Sequence, residues 1–195
     1  MDFNEIHNAL RRRYAKVAGQ PVGQFKYPVG RVSVEQLGYP SELVGRVSAD
    51  VVDLFVGVGN PFSLGEPRSG WRLVDVGCGA GFDSRIAAQY VGPKGRVVGV
   101  DMSPEMLNAA RSGTLAGRSA KLGFVQGCAE SLPLESGWAD LVISNGVLNL
   151  STCKASAFAE LARVLRPGGR FQAADLILVK DLPPDLRHDE FAWSN

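Results

Sequence analysis

The chain has 195 residues, a formal net charge of +1 and 45% hydrophobic residues, which predicts one soluble domain with a sizeable core. This charge balance disfavours nucleic acid or an anionic membrane as a partner, and no stretch approaches the ~20 apolar residues of a membrane span. The chain contains three cysteines with no pairing pattern, and its N-terminus lacks an apolar signal region. Both features favour a cytoplasmic protein.

Residues 1–70 are predicted to form a helical extension, or lid, that precedes a larger domain over 71–195. Two helical patterns, at 3–17 and 41–55, flank a stretch from 19 to 40 that Gly and Pro interrupt. The three arginines at 11–13 lie in the first pattern, and we interpret them as a solvated helix face.

From residue 71 onward, apolar runs alternate with amphipathic segments. The pattern predicts strands over 71–76, 96–101, 122–126, 140–145 and 170–178, and helices over 82–91, 103–112 and 154–165. This alternation is typical of an α/β, Rossmann-like, doubly wound and mostly parallel sheet with helices on both faces. Ligands of such sheets bind outside the carboxyl ends of the strands.

The first strand contains Asp75 and runs into the turn Gly77-Cys78-Gly79-Ala80-Gly81, which Asp83 follows closely. Glycines at such a turn let the backbone approach a ligand. The G-x-G-x-G spacing differs from the G-x-G-x-x-G fingerprint of dinucleotide sites. Carboxylates on both sides would repel a pyrophosphate but suit an ammonium or a sulfonium, which argues against a nicotinamide-dependent oxidoreductase. A tight strand–helix turn without a ligand is the alternative.

The second strand ends at Asp101, and Met102-Ser103-Pro104 then begins a helix in which Met106 opens the apolar face. Ser103 suits the N-cap and Pro104 the first helical position. An acid at this strand end is placed to accept both hydroxyls of a ribose. Together with the glycine turn, it predicts a cofactor that carries a nucleoside.

Five segments, taken in order and at their spacing, resemble the class I S-adenosylmethionine-dependent methyltransferases. They are Val74–Asp83, Val98–Met106, Gly127–Leu134, Ala139–Asn145 and Arg163–Arg170. Within this class the chain is most similar to the arsenite methyltransferase branch. That similarity rests on Ile143–Leu150, on Gly57–Pro61 and on the opening helix around Tyr14.

The resemblance implies S-adenosyl-L-methionine as cofactor and S-adenosyl-L-homocysteine as product. It assigns the cofactor contacts to Asp75, Gly77, Cys78, Gly79, Gly81, Asp83, Asp101, Met102, Met106, Cys128, Ala129, Glu130, Asn145 and Val147. Cys128 and Ala129 would lie beside the adenine, and Asn145 beside the methionine half. Asn149 and Asp175 are candidates for catalytic side chains, with local backbone capping and a strand-end turn as the respective alternatives.

Methyl transfer from a sulfonium requires alignment of the reactants and exclusion of water, and it requires a general base only if the nucleophile is protonated. Trivalent arsenic is held by converging thiolates. In the arsenite branch cysteines stand where this chain has Val58 and Gly146, and Cys153 alone cannot replace them. The sequence therefore predicts a methyltransferase that acts on a carbon, oxygen or nitrogen nucleophile of a small molecule. A non-catalytic S-adenosylmethionine-binding protein, or a fragment, is the alternative.

Members of the class add a helix and an antiparallel hairpin after the fifth strand, whereas this sequence ends at Asn195. A sheet of about five strands without that hairpin would leave its last strand as an exposed edge. We therefore expect a fragment, or a homodimer that forms through this edge.

Overall fold

The computed structural model describes residues 3–177 and 179. Its centre is a five-stranded sheet in the order β3-β2-β1-β4-β5, in which every pairing is parallel. The strands are β1 (Arg72–Val76), β2 (Arg96–Asp101), β3 (Lys121–Gln126), β4 (Ala139–Asn145) and β5 (Leu165–Ala174). The predicted Rossmann-like α/β fold is confirmed. The chain runs from β1 outward to β3 and returns to β4, so the strand order reverses between β1 and β4.

Seven α-helices and two short 3₁₀ turns accompany the sheet within the described residues. The helices are α1 (Phe3–Gly19), α2 (Gly30–Gln36), α3 (Ser41–Val44), α4 (Ala49–Asp53), α5 (Phe82–Val91), α6 (Pro104–Ser112) and α7 (Lys154–Val164). The 3₁₀ turns span Pro61–Leu64 and Leu148–Leu150. None of the helices in this part of the chain is long and apolar enough to cross a membrane.

The sheet is buried on both faces, which explains its continuous apolar strands. Leu73 and Ile143 point to one face and pack with α5 and residues of the N-terminal extension. Val74 and Val142 point to the other face and pack with α7. Alternate side chains of each central strand thus join two separate cores.

The predicted single helix over 41–55 is wrong, because the structure divides it into α3 and α4. Between them Val47 bridges to Leu115, and the N–H of Ser48 donates to the carbonyl of Thr114 at 3.2 Å. These partners lie more than sixty residues away in sequence, as the residue numbers show. These tertiary contacts interrupt the helix that the periodicity of the segment predicts. The predicted stretch at 19–40 also contains a helix, α2, that the sequence pattern did not reveal.

The fifth strand begins five residues before its predicted start. Ala139 pairs with Leu165 and Leu141 with Arg170, so a bulge absorbs the residues between the two pairings. Asp175 follows the last strand residue. In the described part of the chain β5 pairs with β4 alone, as expected of an edge strand. Residues 181–195 lie outside the described residues.

Candidate cofactor site

A cleft with about 800 Å³ of empty space opens at the carboxyl ends of β1, β2 and β4. Its position is the reversal point of the strand order, where ligands of open α/β sheets bind. Ten residues assigned to the cofactor from the sequence line this cleft: Gly77, Gly79, Asp101, Met102, Met106, Cys128, Ala129, Glu130, Asn145 and Val147.

Glycine is needed for different reasons at two positions of the turn after β1. Gly77 and Gly79 adopt φ values of +74° and +51°, which side chains rarely tolerate. A Cβ on Gly77 would lie 2.1 Å from Cγ2 of Val147, whereas the nearest atom to a Cβ on Gly79 is Sδ of Met106 at 3.9 Å. Gly77 is therefore required by packing, and Gly79 leaves open space in the cleft wall.

We expect Gly77→Ala to destabilise the fold by about 2–4 kcal/mol, from left-handed strain and collision with Val147. Gly79→Ala is the matched control, since it introduces the same methyl at a positive φ without a collision. It should cost about 1–2 kcal/mol while filling the space beside the cofactor. Urea unfolding measures both losses, and equal losses would contradict the packing role of Gly77.

Asp101 is anchored at the floor of the cleft by backbone donors. Its Oδ2 accepts the N–H of Gly79 at 2.8 Å, and its Oδ1 accepts the N–H of Ser103 at 2.9 Å. Burial raises the pKa of Asp101 above its usual range, against the effect of these N–H donors. The hydroxyl of Ser103 accepts the N–H of Met106 at 3.3 Å, which confirms the predicted N-cap of α6. Each carboxylate oxygen keeps lone-pair capacity for a further donor.

Asp75 and Asp83 flank the glycine turn but are absent from the cleft wall. They are only 1% and 6% exposed. Oδ2 of Asp75 accepts the hydroxyl of Ser84 at 2.6 Å, and Oδ1 of Asp83 accepts the hydroxyl of Tyr39 at 2.6 Å. Cys78 and Gly81 also lie outside the wall. The sequence pattern predicted that both carboxylates face a cationic ligand, but in the structure both accept hydrogen bonds from protein side chains.

Burial raises the pKa of Asp83 to about 6, from an ordinary value of 3.8. Because the folded-state pKa is the higher one, the stability from this group is present below about pH 4 and lost as the pH rises through about 6. We expect Asp83→Asn, which does not titrate, to gain stability over the wild type between pH 4 and 7 by on the order of 2 kcal/mol. Asp53→Asn, at an exposed position, is the control. Urea unfolding at several pH values measures this, and a constant difference would contradict it.

Asn149 and Asp175 stand next to the cleft without lining it. Oδ2 of Asp175 accepts the N–H groups of Leu148 and Asn149 at 2.8 and 3.2 Å, so it caps the 3₁₀ turn. Oδ1 of Asn149 is buried without a partner among the described residues. The carboxylate of Asp175 is therefore engaged by backbone groups of the segment after β4.

The N-terminal helix closes one side of the cleft through residues that the sequence did not assign to the site. His7, Leu10 and Tyr14 of α1 line the wall. Nε2 of His7 lies 3.8 Å from Oε1 of Glu130. These three residues are spaced three and four positions apart, which places them on one face of the helix. That spacing is the sequence pattern that could have identified this face as part of the site.

Glu130 links the wall to the segment after β4. Its Oε1 accepts the hydroxyl of Ser151 at 2.6 Å and the N–H of Thr152 at 3.2 Å. Although burial opposes it, these donors and the nearby His7 lower the pKa of Glu130. Glu130 therefore remains ionised and holds this part of the wall in place.

A protein-family model described as "Methyltransferase domain" matches residues 67–195. The chain belongs to the methyltransferase domain family. Its relatives place it in class I, on the branch of the arsenite enzymes. It is 41% identical over 155 residues to an arsenite methyltransferase of Halobacterium salinarum, covering 80% of this chain and 39% of that protein. It is 38% identical over 199 residues to one of Aquipseudomonas alcaligenes, covering 96% of this chain and 56% of that protein.

Among solved structures, this methyltransferase domain is similar to the arsenic(III) S-adenosylmethionine methyltransferase of Chlamydomonas reinhardtii. The TM-score is 0.62 at 36% identity, over 83% of this chain and 54% of that chain. The chain thus spans about half the length of these relatives.

The residues of the methyltransferase cleft fit the cofactor that the family implies. Gly79 leaves its Cβ space open, and the half-buried carboxylate of Asp101 faces the same cleft. Cys128 and Ala129 line the wall beyond Asp101. An acid that can accept two hydroxyls, an open backbone turn and small wall residues match the shape and donors of an adenosine.

The three cysteines of this methyltransferase domain do not converge. Cys78 is buried in the glycine turn, Cys128 lies in the cleft wall, and Cys153 is exposed before α7. Within residues 3–177 and 179, no group of three His, Cys, Asp or Glu side chains could hold a metal ion. A Cβ on Gly146 would lie 3.4 Å from Cγ1 of Val58, so these two positions are neighbours and present apolar surface.

Proposed function

We propose that the chain is an S-adenosylmethionine-dependent methyltransferase that transfers a methyl group to a nucleophile on a small molecule. The carrying observation is the carboxylate of Asp101, held by the N–H groups of Gly79 and Ser103 at the reversal point of the sheet. S-adenosylmethionine supplies an activated methyl group on a sulfonium when bound.

The residues of the cleft have separate roles in this proposal. Asp101 accepts the ribose hydroxyls, and Cys128 and Ala129 bound the adenine. Val56 and Val147 give the cleft an apolar wall, which excludes water from the reacting atoms. The amino-terminal region 1–70 acts as a lid over the domain at 71–195, because α1 closes the cleft.

We propose that the acceptor presents carbon, oxygen or nitrogen rather than trivalent arsenic. A soft ion requires converging thiolates, and the cysteines lie in three separate places. Asp175 is engaged by two backbone N–H groups, so the nucleophile does not depend on it as a base. The net charge of +1 favours a small molecule over a nucleic acid, in a cytoplasmic setting where thiols stay reduced.

Calorimetry with S-adenosylmethionine and S-adenosylhomocysteine tests the proposal first. We expect binding of both, followed by turnover in a methyl-acceptor screen that includes arsenite. Binding to neither cofactor would overturn the proposal. Binding without turnover of any acceptor would favour a non-catalytic S-adenosylmethionine-binding protein, and turnover of arsenite would overturn the choice of acceptor.

We further propose a homodimer that forms through the edge of β5. Phe171 on this strand is 36% exposed and packs edge-to-face against Phe158 of α7, which is 49% exposed, with ring centroids 6.2 Å apart. Light scattering should give twice the chain mass of 20.8 kDa. Phe171→Lys should shift the mass to that of a monomer, and a monomeric wild type would contradict the proposal.

A further inference from the structure

A short turn, Gly57-Val58-Gly59, is held at the β4 end of the cleft by one side chain. Oδ1 of Asn145 accepts the N–H groups of Val58 and Gly59 at 2.9 and 3.1 Å. Nδ2 of Asn145 donates to the carbonyl of Gly59 at 2.7 Å. Because two donors face the oxygen and an acceptor faces the nitrogen, the orientation of the amide is determined.

Asp83 and Tyr39 form a hydrogen-bonded chain that contacts the amide of Asn145. Nδ2 of Asn145 also donates to Oδ2 of Asp83 at 3.0 Å, and the hydroxyl of Tyr39 donates to Oδ1 of Asp83 at 2.6 Å. The ring of Tyr39 is buried and packs edge-to-face against Phe55 and Phe82. The carboxylate is therefore an acceptor at both oxygens, inside a rigid aromatic cluster.

The turn fits closely against the ends of β4 and β5. A Cβ on Gly57 would lie 2.4 Å from Nδ2 of Asn145, and a Cβ on Gly59 would lie 2.5 Å from Cβ of Ala174. Such distances leave no room for a side chain. The backbone of the turn consequently lies directly on the strand ends that form the floor of the cleft.

The held turn determines which surface the cleft presents at this end. Val56 precedes the turn and lines the cleft, as do Gly146 and Val147 after β4. Val58 lies beside Gly146. The polar atoms of Asn145, which the sequence assigns to the cofactor, are all engaged by protein groups, so the surface here is made mainly by valines.

We propose that Asp83 is a positioning residue: acting through Asn145, it holds the Gly57–Gly59 turn so that Val56, which lines the cleft, forms with Val147 the wall against which an uncharged, apolar part of the methyl acceptor lies. The acceptor side of this proposal rests on the proposed function. The positioning side depends only on the hydrogen bonds of the folded chain.

Amide hydrogen exchange of Val58 and Gly59, measured by NMR, tests the positioning. In Asp83→Leu, whose side chain cannot accept hydrogen bonds, we expect both amides to exchange at least about tenfold faster while those of β1 and β4 stay unchanged. Asp83→Asn should stay within about threefold of the wild type. Its oxygen can face Asn145 and its NH₂ can donate to Tyr39, whose hydroxyl then turns to the carbonyl of Gly59, 3.1 Å away. Unchanged exchange in a folded Asp83→Leu would overturn the proposal.

A pair of near-isosteric substitutions tests the same link if Asp83→Leu does not fold. Asn145→Asp places a carboxylate opposite Asp83 and should speed exchange of the Val58 and Gly59 amides. Adding Asp83→Asn restores a donor between the two side chains and should recover at least about a third of the lost protection. Equal exchange in Asn145→Asp and in the double variant would overturn the coupling.

Steady-state kinetics distinguish an effect on the acceptor wall from a general effect on the fold. With an acceptor found in the screen, Asp83→Leu should raise KM for the acceptor at least about tenfold and KM for S-adenosylmethionine less than about threefold. Equal increases in both KM values would overturn the assignment of the turn to the acceptor side. If the proposed function itself is wrong, the wild type will not bind S-adenosylhomocysteine. The amide exchange experiment would still test whether Asp83 positions the turn.

Discussion

Asp101→Ala is expected to weaken S-adenosylhomocysteine binding roughly ten- to a hundredfold, which corresponds to about 1.5–3 kcal/mol for hydrogen bonds to a charged group. The carboxylate lies in the cleft wall, and its two oxygens are oriented by the N–H groups of Gly79 and Ser103. Removing it takes away both the ribose acceptor and the anchor of the turn. Calorimetry measures the change in affinity.

Two further variants separate these contributions. Asp101→Asn keeps one acceptor oxygen and should lose less affinity than Asp101→Ala. Glu105→Ala removes an exposed acid from the first turn of α6, outside the cleft wall, and should bind the ligand as the wild type does. An unchanged affinity in a folded Asp101→Ala would show that the ribose acceptor lies elsewhere.

Arg85→Met is expected to cause the largest loss of stability, about 3–5 kcal/mol. Arg85 is 2% exposed, and its guanidinium donates to four carbonyls. Nη1 reaches Ala80 and Gly81 at 3.2 and 3.0 Å, and Nη2 reaches Ala110 and Gly113 at 2.6 Å each. Truncation to an apolar side chain removes these four hydrogen bonds, and the carbonyl of Gly81 keeps only the backbone N–H of residue 85 as a donor.

The same substitution should also loosen the cofactor site, because Arg85 connects the glycine turn to the end of α6. Its guanidinium carbon lies 5.3 Å from the ring centroid of Phe124. Arg68→Met is the matched control, since the exposed Arg68 makes a similar contact with Trp71 at 5.7 Å. It should change the free energy of unfolding by less than about 0.5 kcal/mol. A loss below about 1 kcal/mol for Arg85→Met in urea unfolding would contradict the structural role.

The sequence by itself determined the parts of this protein that depend on neighbouring residues. Apolar runs and Gly breaks located all five strands, and Ser103-Pro104 located the start of α6, because strand burial and helix capping are local properties. The position of Asp101 at a strand end followed from the same patterns. The family and its cofactor followed from several such segments taken together.

Only the tertiary structure decided what the side chains around the turn contact. Tyr39, Asp83 and Asn145 meet across 44 and 62 residues of sequence, and Arg85 reaches the carbonyl of Gly113 across 28. Hydrogen bonds of such separation leave no periodic trace in a sequence, since any polar residue at a strand end could face either a ligand or the protein. Their partners are set by how the extension folds over the sheet, and that packing assigns Asp83 to the turn and Asp101 to the cleft.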